Sequence, residues 1–182
     1  MTTLDLNGKG LTDLGFLASR TDLTRLDLRD NKISDISPLA SLVNLTHLNL
    51  RCNEISDISP LQSLINLTEL YLDVNEIRDI GSLAALNKLR SLHLHKNRIT
   101  DITPLSSLTH LNVLSIRDNQ IGNIGPLAPL ANLTKLNLQG NQISDIRPIA
   151  SLGRLTSLNL RHNEISDISA LASATHIENI YF

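Results

Sequence analysis

The sequence predicts an α/β solenoid in which each turn of the coil carries one short strand and one short helical or 3-10 segment. Three observations carry this expectation. The chain repeats itself every 22 residues. Each repeat holds an L-x-L stretch, whose alternation has the period of a strand. A polar, often proline-bearing stretch follows, with too few residues before the next strand for a long helix.

LTRLDLRDNKISDISPLASLVN (23–44) and LTHLNLRCNEISDISPLQSLIN (45–66) are two copies of one phrase. Eight full units begin at residues 1, 23, 45, 67, 89, 111, 133 and 155, and a partial unit, IENIYF, covers 177–182. No unit carries an insertion or deletion, so the chain reads as one domain over 1–182. The consensus is L-x-x-L-x-L-x-x-N-x-I-x-D-I-x-P-L-x-x-L-x-x.

Each position has a physical role. The leucines of L-x-L point inward and the residues between them outward. Strands one repeat apart must run parallel, about 4.8 Å from neighbour to neighbour. Asparagine recurs at the ninth position as Asn31, Asn53, Asn75, Asn97, Asn119, Asn141 and Asn163. A side-chain amide both donates and accepts, so it can serve the backbone of a tight inward turn as an apolar residue cannot. Aspartate at position 13, in seven of eight units, suits a side chain that bonds its own turn. Ser37-Pro38, Ser59-Pro60 and Thr103-Pro104 look like helix starts, the hydroxyl as N-cap and proline at N1. Seven apolar positions per unit supply the core, each worth roughly 1.5–3 kcal/mol when buried. One unit cannot bury them alone, so stacking is obligatory.

Composition narrows the classes. With 41% hydrophobic and 19% charged residues and a formal charge of −2, the chain reads as soluble and globular. Aromatics make up only 2%, so the core must be aliphatic. The single cysteine, Cys52, excludes an intrachain disulfide framework and fits either a reducing compartment or an extracellular protein stable without staples. MTTLDLNGKG shows neither the basic nor the apolar region of a signal peptide, and no stretch approaches the roughly 18 apolar residues of a membrane span. Localisation is therefore left open, and no membrane insertion is expected. The Asn44, Asn66 and Asn132 sequons fall at one repeat position and read as structural.

The ends differ from the middle. Arg20 and Ala174 stand where the six central units have leucine, and Lys9 replaces the ladder asparagine. Polar substitutions of this kind suit capping units. The stub, however, places Ile177, Ile180 and Phe182 at core positions with nothing after them. The expected state is a monomer, with end-to-end contacts through this stub as the route to association.

The phrase N-x-I-S-D-I-S-P-L-x-x-L-x-N-L-T-x-L-x-L closely resembles the repeat of the internalins, bacterial surface proteins with 22-residue leucine-rich repeats. The resemblance covers essentially the whole chain. It implies a slender right-handed βα leucine-rich-repeat solenoid whose concave parallel sheet binds proteins. The leucine-rich regulatory subunit of protein phosphatase 1 has similar repeats but matches S-D-I-S-P-L less well. The secretion signal, helical N-terminal cap and immunoglobulin-like segment of internalins have no counterpart in these residues. Their concave faces are also rich in aromatics, where this one is poor. Architecture and a binding-scaffold role carry over; host invasion does not.

Positions 3, 5 and 7 should project from the concave sheet, with 8 and 10 along its rim. His93 and His95 then share a face because of the scaffold rather than any ligand geometry. Asp73 is the only obvious third ligand, and Arg117 would repel a cation, so no metal or other cofactor is expected. Position 7 reads Asn7, Arg29, Arg51, Asp73, His95, Arg117, Gln139, Arg161. Arg29 and Arg51 one strand apart repel, which fits a face meant for an acidic partner. The alternative is that Asp27, Asp30 and Asp73 neutralise them in a solvated network. Tyr71 is the one aromatic of this face before the stub, and tyrosine and arginine are frequent hot spots.

The expected partner-binding residues are thus Arg29, Arg51, Tyr71, Asp73, His93, His95, Arg117 and Arg161, centred on Arg51 to Arg117. Nine basic and nine acidic residues at positions 3, 5, 7, 8 and 10 give no basic stripe, so nucleic acid is not an expected partner. Ser34-Asp35 and Ser56-Asp57 recur too often to be catalytic, and no glycine-rich phosphate loop is present. The expectation is a non-enzymatic scaffold for a protein or peptide. Two alternatives are a spacer or fragment of a larger bacterial surface protein, and an intracellular regulator resembling the phosphatase subunit.

Overall fold

The computed structural model describes residues 2–172 and 174–182. Its strands are β1 (Thr2–Asp5), β2 (Leu23–Asp27), β3 (His47–Asn49), β4 (Glu69–Tyr71), β5 (Ser91–His93), β6 (Val113–Ser115), β7 (Lys135–Asn137), β8 (Ser157–Asn159) and β9 (Asn179–Tyr181). They form a single parallel sheet in sequence order. From β2 onward the register is constant: Arg25 pairs with His47, His47 with Glu69, and Glu69 with Ser91. Each residue therefore faces the one 22 places on. Behind the sheet run 3-10 helices of five residues, such as Ser37–Ser41 and Arg147–Ser151, or three, such as Gly125–Leu127. The core between these layers is aliphatic, and from Leu14 to Leu160 its leucines and isoleucines are essentially sealed from solvent.

The asparagine ladder ties each coil to the one before it. Asn75 Oδ1 accepts the N–H of Ile55, 20 residues back, and its Nδ2 donates to the carbonyls of Leu50 and Leu72. Asn53, Asn97, Asn119 and Asn141 repeat this pattern, and Asn31 accepts from both Lys9 and Leu11 in the first unit. One amide thus answers several backbone groups that the inward turn would otherwise strand. The turn also forces position 8 into left-handed backbone in every unit, at Gly8, Asp30, Cys52, Val74, Lys96, Asp118, Gly140 and His162.

The expectation that the hydroxyl caps the outer helix is corrected. No helix has a side-chain bond from its N-cap residue, which is an isoleucine in most units. The position-13 side chain does this work instead, accepting the N–H two residues on at 2.7–2.9 Å. Gly15 and Gly81, which have no hydroxyl, make the same bond to Asp13 and Asp79. At Gly125 the acceptor is Asn123, the one non-aspartate at that position. Where serine is present, its hydroxyl donates to the same carboxylate, as Ser37 does to Asp35.

Other polar side chains stitch the convex layer. Ser41, Ser63, Ser107 and Ser151 donate to carbonyls of the preceding coil. Asn44, Asn66 and Asn132, the three sequon asparagines, do likewise toward Thr21, Val43 and Thr109. Core burial stops at the C-terminal end. Ile168 is 56% exposed, although its counterparts from Ile36 to Ile146 are sealed, and Phe182 is 59% exposed.

Candidate binding trough on the sheet

The outward side chains of β1 to β5 enclose a trough of about 620 Å³. Position 3 contributes Arg25, His47 and Glu69; position 5 contributes Asp27, Asn49, Tyr71 and His93; position 7 contributes Arg29, Arg51, Asp73 and His95. Parallel pairing without bulges from β2 to β5 keeps these three files straight.

A hydrogen-bonded group occupies the middle of the trough. His47 Nε2 lies 3.0 Å from Glu69 Oε1, and Tyr71 OH donates to Glu69 Oε2 at 3.3 Å. The Tyr71 ring stacks on His93 with centroids 4.7 Å apart, and Ser91 Oγ sits 3.0 Å from His93 Nε2. Burial pushes the His93 imidazole below its ordinary pKa, while the Asp73 carboxylate pulls the other way. Burial and the Glu69 charge raise the Tyr71 phenol, which stays a hydrogen-bond donor. A flat, rigid, amphipathic platform results.

Asp73 is only 3% exposed and accepts from the backbone N–H of His95 at 2.9 Å, with His95 Nδ1 lying 2.6 Å from the same carboxylate oxygen. Its carboxylate therefore lies largely covered, against His95. Asp27 lies between Arg25 and Arg29 on one file edge, accepting from Arg29 N–H at 3.0 Å and from Asn49 Nδ2 at 3.3 Å. Among the described residues no three His, Cys, Asp or Glu side chains cluster closely enough to hold a metal ion. No helix there is long and apolar enough to cross a membrane.

Residues 21–129 match the family model for leucine-rich repeats (two copies) in four overlapping segments, and residues 131–173 in a fifth, separate one. The crystal structure of internalin C2 from Listeria monocytogenes superposes with a TM-score of 0.96 at 39% identity, covering 98% of this chain and 79% of that one. The chain is an internalin-type leucine-rich-repeat protein. A second Listeria monocytogenes internalin, InlF, superposes with a TM-score of 0.93 at 38% identity over 95% of this chain; the chain spans 52% of that structure's length. The ectodomain of the Arabidopsis thaliana receptor kinase GASSHO1/SCHENGEN3, in complex with CASPARIAN STRIP INTEGRITY FACTOR 2, shares the fold at a TM-score of 0.84 and 24% identity, covering 98% of this chain and 23% of that one. Comparison with curated protein sequences returned no match.

On this internalin-type frame the residues anticipated from the sequence separate into two groups. Arg29, Arg51, Tyr71, Asp73, His93 and His95 converge on the trough. Arg117 and Arg161 lie farther along the sheet, outside its lining, and Arg161 packs over the Tyr181 ring at 5.1 Å. Arg25, His47 and Glu69 belong to the trough but were not singled out by sequence reasoning. Position 3 was assigned to the concave face, so the signal was present. What concealed them is that single-sequence reading favours a like-charged file over a file of mixed type.

Proposed function

We propose that this internalin-type protein is a non-enzymatic interaction module that holds a protein or peptide on the outward face of its sheet, centred on the trough from β2 to β5. Leucine-rich-repeat proteins generally serve as interaction scaffolds, and the relatives of this fold are typically non-enzymatic. The observation that carries the reading is the trough itself, where a stacked Tyr71–His93 platform lies flanked by arginines. Large flat side chains beside guanidinium groups are the chemistry of interface hot spots. The two rings are already stacked before binding, which lowers their ordering cost.

The test starts from affinity capture with mass-spectrometric identification, followed by calorimetry on the captured partner. Arg51→Ala and Tyr71→Ala should each weaken binding by at least about 1 kcal/mol. Arg147→Ala on the convex side should leave it unchanged. A larger effect from the convex substitution would place recognition on the other surface.

A second reading draws on chain coverage, since InlF extends to nearly twice the matched length. In it the repeats act as a spacer within a larger bacterial surface protein, with recognition in flanking domains. Loss of partner binding on removing those domains, with the trough intact, would favour it.

A further inference from the structure

The trough's carboxylates are engaged by their neighbours, whereas among the described residues only Arg29 of its arginines has an ionic partner, Asp27. Asp5 accepts from Asn7 N–H, Asp27 from Arg29 N–H and Asn49, Glu69 from Tyr71 with His47 against its other oxygen, and Asp73 from His95 N–H with the His95 Nδ1 beside it. Among the described residues, Arg25 and Arg51 make no side-chain hydrogen bond or ion pair. Arg29 Nε is shielded from solvent without a hydrogen-bond acceptor; its nearest carboxylate oxygen, on Asp27, is 3.6 Å away, beyond hydrogen-bond range. A buried donor left unanswered is costly, and two guanidiniums one strand apart add repulsion. The Asp30 N–H to Arg51 carbonyl bond at 2.9 Å fixes that adjacency. Asp73 is engaged by His95 and, among the described residues, makes no ion pair with either arginine.

We propose that the trough docks an acidic, extended segment of a partner protein, with a side-chain carboxylate bridging Arg29 and Arg51 and a flat or apolar side chain resting on the Tyr71–His93 stack. The guanidinium fork accepts a carboxylate in bidentate fashion, and the spacing of neighbouring strands suits one carboxylate to two such forks. The stacked rings lie one to two strands further on, within the reach of the next residues of an extended peptide. This specificity rests on the trough being the binding surface, and the experiment below separates the two.

The probes are fluorescein-labelled octapeptides read by anisotropy: one alternating glutamate with phenylalanine, its glutamine isostere, and its lysine counterpart. A sulfated oligosaccharide of matched charge is the fourth. The glutamate peptide should bind at least tenfold more tightly than the glutamine peptide. Arg51→Gln and Arg29→Gln should each remove most of that advantage, while Arg147→Gln on the convex side should not. Arg51→Glu should shift preference toward the lysine peptide, and thermal melts will show that each variant folds. Equal binding of the glutamate and glutamine peptides, both sensitive to Tyr71→Ala, would overturn the acidic specificity and leave the trough as the binding surface. Glutamate-peptide binding indifferent to every trough substitution would overturn both. Tighter binding of the sulfated oligosaccharide through the same arginines would overturn the proposal in favour of a polyanionic glycan.

Discussion

At the scale of single residues, two positions in each 22-residue unit carry most of the backbone cost. The ninth is met by asparagine. Replacing Asn75 with alanine strands the Ile55 N–H in the interior and takes one of two donors from the Leu50 and Leu72 carbonyls, which keep Asn53 and Asn97 respectively. At roughly 1–3 kcal/mol for a buried unanswered donor, Asn75→Ala should destabilise by about 2 kcal/mol in urea unfolding. Asn163→Ala, at a half-exposed rung where water can substitute, should cost about 1 kcal/mol or less. Equal costs would mean that the ladder is not a set of buried bonds. The eighth position is met poorly at Val74, a β-branched residue held at φ +57°. Left-handed backbone costs such a residue about 1–2 kcal/mol, and asparagine tolerates it better. Val74→Asn should therefore raise the urea midpoint by the equivalent of about 1 kcal/mol. The ladder was legible because one residue type recurs. The left-handed demand was not, because glycine, aspartate, cysteine, valine, lysine and histidine all occupy it: closure of the turn imposes the conformation whatever side chain is present.

At the scale of the element, each outer 3-10 helix is started by a side-chain oxygen two residues upstream, a carboxylate in all but the Asn123 unit. The amide and hydroxyl bonds from Ser37 and Ser59 hold Asp35 and Asp57 below the usual aspartate range. Thr103 does so for Asp101 and Ser169 for Asp167. The Arg147 guanidinium, helped by its own N–H, lowers Asp145 to about 2. Each folded pKa lies below its unfolded value, so this stabilisation is fully present above about pH 4 and is lost as pH falls toward 2. The melting temperature should hold steady from pH 7 to about pH 4.5 and then drop. Asp57→Asn, which keeps the acceptor but cannot titrate, should make the drop shallower; Asn123 already caps its helix this way. An unchanged acid profile in that variant would remove the carboxylates as its cause. Misassigning the cap to the hydroxyl has a specific origin. Ser-Pro reads as N-cap and N1 for an α-helix, whereas a 3-10 turn this short begins one residue earlier and is reached by an Asx-type bond.

At the scale of the whole molecule, uniform winding turns a one-dimensional repeat into straight files of side chains, and recognition depends on which files meet. The period of 22 made the sheet, its register and its outward face legible from the sequence. It could not show that the side chains over β1 to β5 line one trough while Arg117 and Arg161 fall outside. Nor could it show that Asp73 pairs with His95 and not with Arg51. Those outcomes depend on side-chain packing between neighbouring coils, which no periodicity encodes.

The winding and the trough can be tested together by removing whole coils. Deleting 111–132 or 67–88 rejoins the chain in register, so both variants should keep a cooperative unfolding transition and strand-rich circular dichroism. Anisotropy with the glutamate–phenylalanine octapeptide then decides the account. Binding should survive loss of 111–132, which contributes nothing to the trough, and vanish with 67–88, which removes Glu69, Tyr71 and Asp73. Equal binding by the two, or failure of the 111–132 deletion to fold, would contradict it.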